Sequence, residues 1–278
     1  MDVKDGYKPE YILAKDAFVG DKRGMIFEQK LEYLSNLAKE ETWDFNNEKY
    51  KGISKYPILN NYLFYTYDRL KEEGKITISE DGEKMCFNTG LQTRDFEKDI
   101  YAFFEKNKNK PERSTQNWFL KKFCTDKDME LSIFESLPEV AEYWSDPSVL
   151  IFDKRLDVRI DSQHIVSDNI ERFIEIGLNQ PDNIIVAILN DQFEKAKKKV
   201  IRNYKVAIPQ YYADKNKSCS RIQLLLPLCC KERNKADLAL VISKEGQTYI
   251  GKTILPLDMA YMNSRRIVTP DAEWIRNI

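Results

Sequence analysis

Histidine is nearly absent from this sequence, because His164 is the only one among 278 residues. A metal site built on two histidines is therefore impossible within one chain, and histidine-dependent proton transfer could use only His164. The five cysteines form no C-x-x-C pair, which argues against a zinc ribbon and against a thioredoxin-type redox site. From these absences we expect neither a bound metal nor a cofactor.

Long apolar runs are also missing. The most apolar stretch, residues 222–230, is interrupted by Gln223, whereas a membrane-spanning helix needs roughly 20 apolar residues. The opening MDVKDGYKPE has neither the basic start nor the apolar stretch of a secretory signal. With 42% apolar and 12% aromatic residues, the chain can still bury a sizeable core. We therefore expect a folded cytoplasmic protein that does not bind a membrane.

The charges nearly cancel, since 44 Lys and Arg stand against 45 Asp and Glu. Their distribution is uneven: residues 126–146 are strongly acidic, whereas residues 106–122 and 195–205 are strongly basic. Exposed charges are screened beyond about 8–10 Å, so a neutral protein with basic patches can still attract a polyanion locally. The net charge therefore does not exclude nucleic acid as a partner.

Helical and strand-like patterns predict an α+β fold with a largely antiparallel sheet packed with helices. Two helices, one starting near Phe27 and one at Pro57, precede a hairpin of residues 75–79 and 84–89. Such a helix–helix–hairpin order resembles a winged helix. Farther on, two helical segments precede three strands, residues 221–228, 236–243 and 249–255. We predict an N-terminal arm (residues 1–24) and one domain (25–278) with a helix–helix–hairpin part (25–95) and an α+β core (96–278).

The longer of the two predicted helices that precede the three C-terminal strands begins at Pro181. It carries a basic ridge opposite an apolar stripe. Its basic residues recur at i, i+3, i+4 and i+7, which places them on one helix face. A helix packed by its apolar stripe must turn that ridge outward, where it can contact a phosphate backbone. The alternative is a solvated face whose cations stabilise the helix C-terminus. The ridge consists of Lys195, Lys198, Lys199 and Arg202.

Three further features are open to two interpretations each. Residues 103–122 interleave basic and aromatic residues, which suits stacking of single-stranded bases but is also typical of a strand core. His164, between a predicted strand and a predicted helix, is either an acid/base or phosphate ligand or a hydrogen-bonded structural residue. Residues 87–91 (FNTGL) are a weak candidate phosphate loop, and a plain turn explains them as well.

Several short motifs between residues 87 and 274 stand out together. They include FNTGL (87–91), NYK (203–205), AIPQY (207–211), LLPL (225–228) and LDMAYMNSR (257–265). As a set they resemble the family called domain of unknown function 3825, over about residues 25–278. The resemblance implies one family domain filling the chain. It also implies a link with RNA, because other members are joined to cold-shock and other RNA-binding modules.

Polar residues within these motifs are the candidate site. Amides and arginines recognise base edges and phosphates, so their convergence predicts a nucleotide or RNA-end pocket. His164 and Asp258 are the candidate proton-transfer residues, and Arg172, Lys205 and Arg265 the candidate phosphate ligands. Alternatively, these side chains cap helices and turns or pair with acids. The remaining candidate ligands are Asn88, Asn169, Asn203, Gln210 and Asn263.

The leading functional hypothesis is a domain that binds RNA, single-stranded nucleic acid or a nucleotide, with a role in RNA processing that needs no structural metal. A second is a phosphohydrolase- or phosphotransferase-type enzyme acting on a nucleotide or a phosphorylated small molecule. A third is a non-enzymatic scaffold whose basic ridge binds an acidic protein surface.

Overall fold

The structure is a computed structural model that describes residues 11–20, 25–45, 54–95, 97–212 and 221–276. It contains two compact units, residues 1–142 and residues 143–278. Each unit has its own five-stranded sheet, and both sheets are mixed but mostly antiparallel. The predicted α+β class is thereby confirmed.

The first unit places helices before and after a short first strand and then builds its sheet. The sheet order is β1-β5-β4-β3-β2, with β1 parallel to β5 and the other pairs antiparallel. The elements are α1 (Ile12–Asp16), β1 (Ala17–Phe18), α2 (Met25–Leu37), α3 (Pro57–Glu72), β2 (Thr77–Ile78), β3 (Lys84–Gln92), β4 (Asp99–Lys106) and β5 (Trp118–Thr125).

Aromatic side chains hold this unit together on both faces of its sheet. Phe87 of β3 packs against Phe104 of β4 and against Tyr67 of α3, with ring centroids 5.7 and 5.3 Å apart. On the opposite face, Phe103 packs against Phe134 at 6.4 Å. Successive strand residues point to opposite faces, so neighbouring Phe103 and Phe104 serve two different cores.

The second unit arranges its sheet in the order β6-β10-β9-β8-β7, and only the β6–β10 pair is parallel. The predicted meander of three antiparallel strands corresponds to β8, β9 and β10. The elements are β6 (Asp157–Arg159), α4 (Ser162–Glu175), α5 (Asp182–Arg202), β7 (Ile208–Tyr212), β8 (Arg221–Leu228), β9 (Leu238–Glu245), β10 (Thr248–Pro256), α6 (Leu257–Arg265) and α7 (Glu273–Arg276).

Helices α4 and α5 cover one face of this sheet. The buried stripe of α5 is the predicted one, and it packs in the same core as alternate residues of β8 and β9. Because strand side chains alternate, the residues between them, including Gln223 and Ser243, lie on the other face. The stripe consists of Ile185, Leu189, Phe193, Ala196 and Val200, and its strand partners include Leu224, Leu226, Leu240 and Ile242.

Two finer predictions have different outcomes. The helix–helix–hairpin order is present as α2, α3, β2 and β3, but the winged-helix likeness is not confirmed, because β3 is an inner strand of the five-stranded sheet. Within the predicted arm, residues 11–20 form α1 and β1 with buried Leu13 and Ala17; residues 1–10 and 21–24 lie outside the described ranges. The predicted domain limits stay predictions.

Gly90 sits where β3 departs from regular pairing with β4, between Asn88 and Gln92. Its φ is +73°, and a Cβ added there would lie 2.7 Å from the Tyr62 hydroxyl oxygen. That hydroxyl donates to the Thr89 carbonyl oxygen at 2.8 Å. The FNTGL segment is thus an irregularity of a strand, and at Gly90 the backbone conformation and the close approach of Tyr62 both require glycine.

We expect Gly90→Ala to lower the free energy of unfolding by about 2–3 kcal/mol, measured by urea denaturation. About 1–2 kcal/mol comes from the left-handed backbone and about 1 kcal/mol from the displaced Tyr62 hydrogen bond. Gly82→Ala is the matched control, because Gly82 has φ +68° and no atom within 4 Å of the added Cβ. Equal losses in the two variants would show that the approach of Tyr62 is unimportant.

Candidate functional site

The basic ridge of α5 faces outward, as its spacing predicts. Lys195, Lys198 and Arg202 are exposed and Lys199 is half-buried, while the opposite stripe is in the core. Lys195 pairs with Asp191 one turn earlier at 2.5 Å. Among the described residues, no carboxylate pairs with Lys198, Lys199 or Arg202. Three cations on one helix face therefore remain available to an anionic partner.

The loop between β8 and β9 adds positive charge beside this ridge. Burial raises the pKa of the Cys229 thiol, and the nearby ammonium groups of Lys199 and Lys195 oppose that shift. Cys229 thus lies close to the ridge, and the exposed loop residues 231–235 that follow it include three cations and one acid, Glu232. We call the ridge together with these loop cations the basic surface; the loop cations are Lys231, Arg233 and Lys235.

The other basic segment, residues 106–122, differs in both charge and exposure. Lys122 pairs with Asp128 and Glu130, each at 2.9 Å, and Lys121 pairs with Glu105 at 3.4 Å. Of the aromatic side chains predicted as stacking candidates, Phe103, Phe104 and Trp118 are buried, whereas Phe119 is half-buried and stacks on Phe18 with ring centroids 6.1 Å apart. This segment forms the core and internal ion pairs of the first unit.

His164 lies in the first turn of α4 with 67% of its side chain exposed. Its backbone N–H donates to Asp161 Oδ1 at 3.0 Å, which caps the helix, and its Nε2 lies 3.3 Å from Asp168 Oδ2. The other candidate for proton transfer, Asp258, is on a different helix, α6, where its Oδ1 accepts from the Met259 N–H at 2.8 Å. Their catalytic roles stay predictions.

Asn169 and Arg172 come together at the edge of β10. Asn169 occupies a non-helical kink in α4, with its Nδ2 donating to the Ile165 carbonyl oxygen at 2.8 Å. Arg172 Nη1 donates to Asn169 Oδ1 at 2.7 Å, to Thr253 Oγ1 at 3.2 Å and to the Ile254 carbonyl oxygen. Burial lowers the pKa of Arg172. These contacts attach α4 to β10 beyond the short strand β6.

Three other predicted ligands serve local structure or stay exposed. Asn88 is buried in the first unit, where it donates to Asp99 Oδ2 at 3.1 Å and accepts from the Gly90 N–H at 2.9 Å. Asn203 accepts from the Lys205 N–H at 3.2 Å and so caps a short 3-10 turn. The Lys205 side chain is exposed near the end of α5.

Gln210 and Asn263 do converge, in a chain of amides of which Gln210 and Gln223 are buried and Asn263 is half-buried. Asn263 Nδ2 donates to Gln210 Oε1 at 3.1 Å, and Gln210 Nε2 donates to Gln223 Oε1 at 3.0 Å. Gln210 and Gln223 are 2% and 5% exposed and face each other across β7 and β8. Arg265 is buried on the same helix as Asn263. The NH2 group of Gln223 is the donor at the end of this chain.

A cleft of about 480 Å³ lies beside Gln223 in the second unit. Its lining includes Trp144, Lys244 and Tyr249, together with Ile222, Leu224 and Ile242. On β8 and β9 the side chains of Gln223 and Ser243 alternate with these residues and point to the opposite face of the sheet. The Ser243 hydroxyl is buried and has no hydrogen-bond partner among the residues that the structure describes. A buried hydroxyl without a partner costs about 1–3 kcal/mol, so its presence calls for an explanation.

Sequence reasoning missed the residues of this cleft, except for Gln223 as an interruption of an apolar run. Ser243 ends a predicted strand and Trp144 stands in the acidic segment, so neither belongs to a recognisable motif. The one sequence signal in this region is that two polar residues, Gln223 and Ser243, interrupt otherwise apolar strands. Among the described residues, no three His, Cys, Asp or Glu side chains gather as metal ligands would, and no helix could span a membrane.

We expect Arg172→Met to lower the free energy of unfolding by about 1.5–3 kcal/mol in urea denaturation, because it leaves the Asn169 and Ile254 oxygens without their charged donor. Arg172→Lys should be destabilising as well, since one ammonium cannot reproduce the guanidinium geometry. Arg159→Met is the control, because its pair with Asp157 is exposed and contributes about 0–1 kcal/mol. A stable Arg172→Met variant would leave Arg172 free for a role in ligand binding.

A family model described as Domain of unknown function (DUF3825) matches residues 34–274. This match covers parts of both compact units and confirms the resemblance drawn from the motifs. No curated protein and no solved structure matches the chain.

Proposed function

The chain belongs to the DUF3825 family, and on that premise we propose that it binds single-stranded RNA through the basic surface of its second unit. The observation that carries the proposal is the set of outward cations on α5, three of which pair with no carboxylate in the described part of the chain. Cations that are free of internal partners lose no ion pair when they meet a phosphate.

Charge geometry favours a polyanion over a compact anionic ligand. The ridge follows the helix axis from Lys195 to Arg202, a length of roughly 10 Å at 1.5 Å per residue. The loop cations after Cys229 extend the positive charge beyond the helix. A row of separate cations matches the repeated phosphates of a backbone, and it needs no fixed sequence of bases.

A comparison of the two basic segments favours the α5 ridge, rather than residues 106–122, as the RNA-binding surface. In residues 106–122, lysines such as Lys121 and Lys122 already have carboxylate partners, Trp118 is buried, and Phe119 is half-buried against Phe18. A nucleic acid bound there would have to compete with these ion pairs. The α5 ridge makes one such pair, between Lys195 and Asp191, with both side chains more than half exposed. Exposed pairs of this kind contribute little and exchange readily with phosphate.

We expect the triple variant Lys195→Glu, Lys198→Glu, Lys199→Glu to bind a fluorescein-labelled 20-nucleotide RNA at least tenfold more weakly in anisotropy titrations. The slope of log affinity against log salt should fall by about 2, at about 0.7 per lost phosphate contact. The cause is the loss of phosphate contacts, so the effect should be similar for RNAs of different sequence.

The control carries the same change in net charge at three exposed lysines elsewhere: Lys15→Glu, Lys127→Glu, Lys154→Glu. It should keep most of the wild-type affinity if contact rather than overall charge attracts the RNA. Wild-type protein without measurable RNA affinity at low salt, or equal weakening in both triple variants, would refute the proposal.

A further inference from the structure

One exposed aromatic side chain stands directly beside the basic ridge of the second unit. Tyr204 comes two residues after the end of α5, and 53% of its surface is exposed. In the described part of the chain, its ring contacts no other aromatic ring and its hydroxyl takes part in no hydrogen bond. The ring is therefore available to a partner.

The turn that carries Tyr204 is held on both sides by hydrogen bonds. Asn203 accepts from the Lys205 N–H through Oδ1 at 3.2 Å and from the Val206 N–H through its carbonyl oxygen at 3.0 Å. Val206 packs against the core of the second unit, and its carbonyl oxygen accepts from Trp274 Nε1 at 3.0 Å. Because the backbone around Tyr204 is fixed, a partner that binds the ring loses little free energy in ordering it.

Two exposed cations flank this tyrosine along the chain. Arg202, the last residue of the ridge, precedes Tyr204 by two residues, and Lys205 follows it directly. Neither cation pairs with a carboxylate among the residues that the structure describes. Consecutive Cα atoms are 3.8 Å apart, so the Cα atoms of Arg202 and Tyr204 are separated by at most about 7.6 Å. A single nucleotide can therefore place its base on the ring and a phosphate on a flanking cation.

A base contact adds what the cations alone lack. Phosphate contacts fix a nucleic acid in place, but single strands and duplexes both present phosphates. Proteins that bind single strands combine a basic groove with aromatic side chains on which unpaired bases stack. The stacking candidates Phe103, Phe104 and Trp118 are buried in the first unit, whereas Tyr204 presents an exposed ring beside the cations of the second.

We propose that Tyr204 stacks on an unpaired base of the RNA whose phosphates contact Arg202 and Lys205. This contact makes the surface prefer single-stranded RNA, because the bases of a duplex are already stacked on one another. The inference rests on the proposed function, since it adds a base contact to the phosphate contacts of the α5 ridge. Stacking requires a flat ring and no particular base, so it tolerates different RNA sequences.

The test compares Tyr204→Ala with the wild-type full chain in anisotropy titrations of three fluorescein-labelled probes. The probes are the 20-nucleotide RNA, the same RNA annealed to its complement, and an abasic strand of equal length that has the phosphates but no bases. We expect the variant to bind the single-stranded RNA at least about fivefold more weakly, the lower end of what one stacked base contributes. Its affinity for the duplex and for the abasic strand, and its salt dependence, should match those of the wild type, because no phosphate contact is lost.

Two further variants separate the ring from the other properties of the side chain. Tyr204→Phe keeps the ring and should keep the affinity, whereas Tyr204→Leu keeps apolar bulk without a flat face and should lose as much as Tyr204→Ala. Tyr33→Ala is the matched control, because Tyr33 of α2 is 54% exposed and lies in the first unit; it should bind all three probes as the wild type does. The Tm of each Tyr204 variant should equal that of the wild type, since the ring has no aromatic or hydrogen-bond partner in the described part of the chain.

The outcomes distinguish a failure of this inference from a failure of the proposed function. If the wild type binds the RNA and both Tyr204→Ala and Tyr204→Leu bind it equally well, the stacking role is overturned and the ridge is unaffected. Equal weakening for the single-stranded RNA and the abasic strand also overturns it, because the loss then involves no base. The α5 triple variant should weaken all three probes and lower the salt slope, so a wild type without RNA affinity, or a triple variant without these effects, contradicts the ridge instead.

Discussion

Burial of the apolar stripe of α5 against β8 and β9 is the constraint on which the second unit depends. Each fully buried Leu, Ile, Val or Phe side chain contributes about 1.5–3 kcal/mol, whereas an exposed ion pair contributes about 0–1 kcal/mol. The stripe, with Leu189, Phe193 and Val200 buried, therefore decides how the helix is rotated. The basic ridge faces outward because the opposite face of the helix is buried in the core, and the charges of the ridge play no part in fixing that orientation.

The same packing divides the sheet into two faces with different chemistry. Leu224 and Ile242 belong to the core under α4 and α5, and their neighbours Gln223 and Ser243 lie on the other side. On that side the amide chain from Asn263 is continuous, while the Ser243 hydroxyl stands without a partner in the described part of the chain. The sheet therefore has an apolar core on one face and, on the other, a buried polar layer that contacts α6 through Asn263.

The hydrogen-bond partners of the polar residues show which side chains have a structural role and which remain exposed and able to bind a ligand. Arg172 is bound to the edge of β10, Asn88 supports the irregularity at Gly90, and Asn203 caps a turn. These side chains form hydrogen bonds that stabilise the fold, and this structural role explains why they occur in the family motifs. Lys198 and Arg202 are exposed side chains outside such networks, and they carry the proposed contact with RNA.

The amino-acid sequence alone determined the α+β class, the C-terminal meander, the buried stripe of α5 and the family, because hydrophobic periodicity and local motifs are written along the chain. It also placed Lys195, Lys198, Lys199 and Arg202 on one helix face. Only the tertiary structure decided which polar groups meet. Gln210, Gln223 and Asn263 converge through strand register and helix packing, and Trp144 lines one cleft with Tyr249 across about a hundred residues of chain. Such contacts depend on pairings between distant segments, which no local pattern encodes.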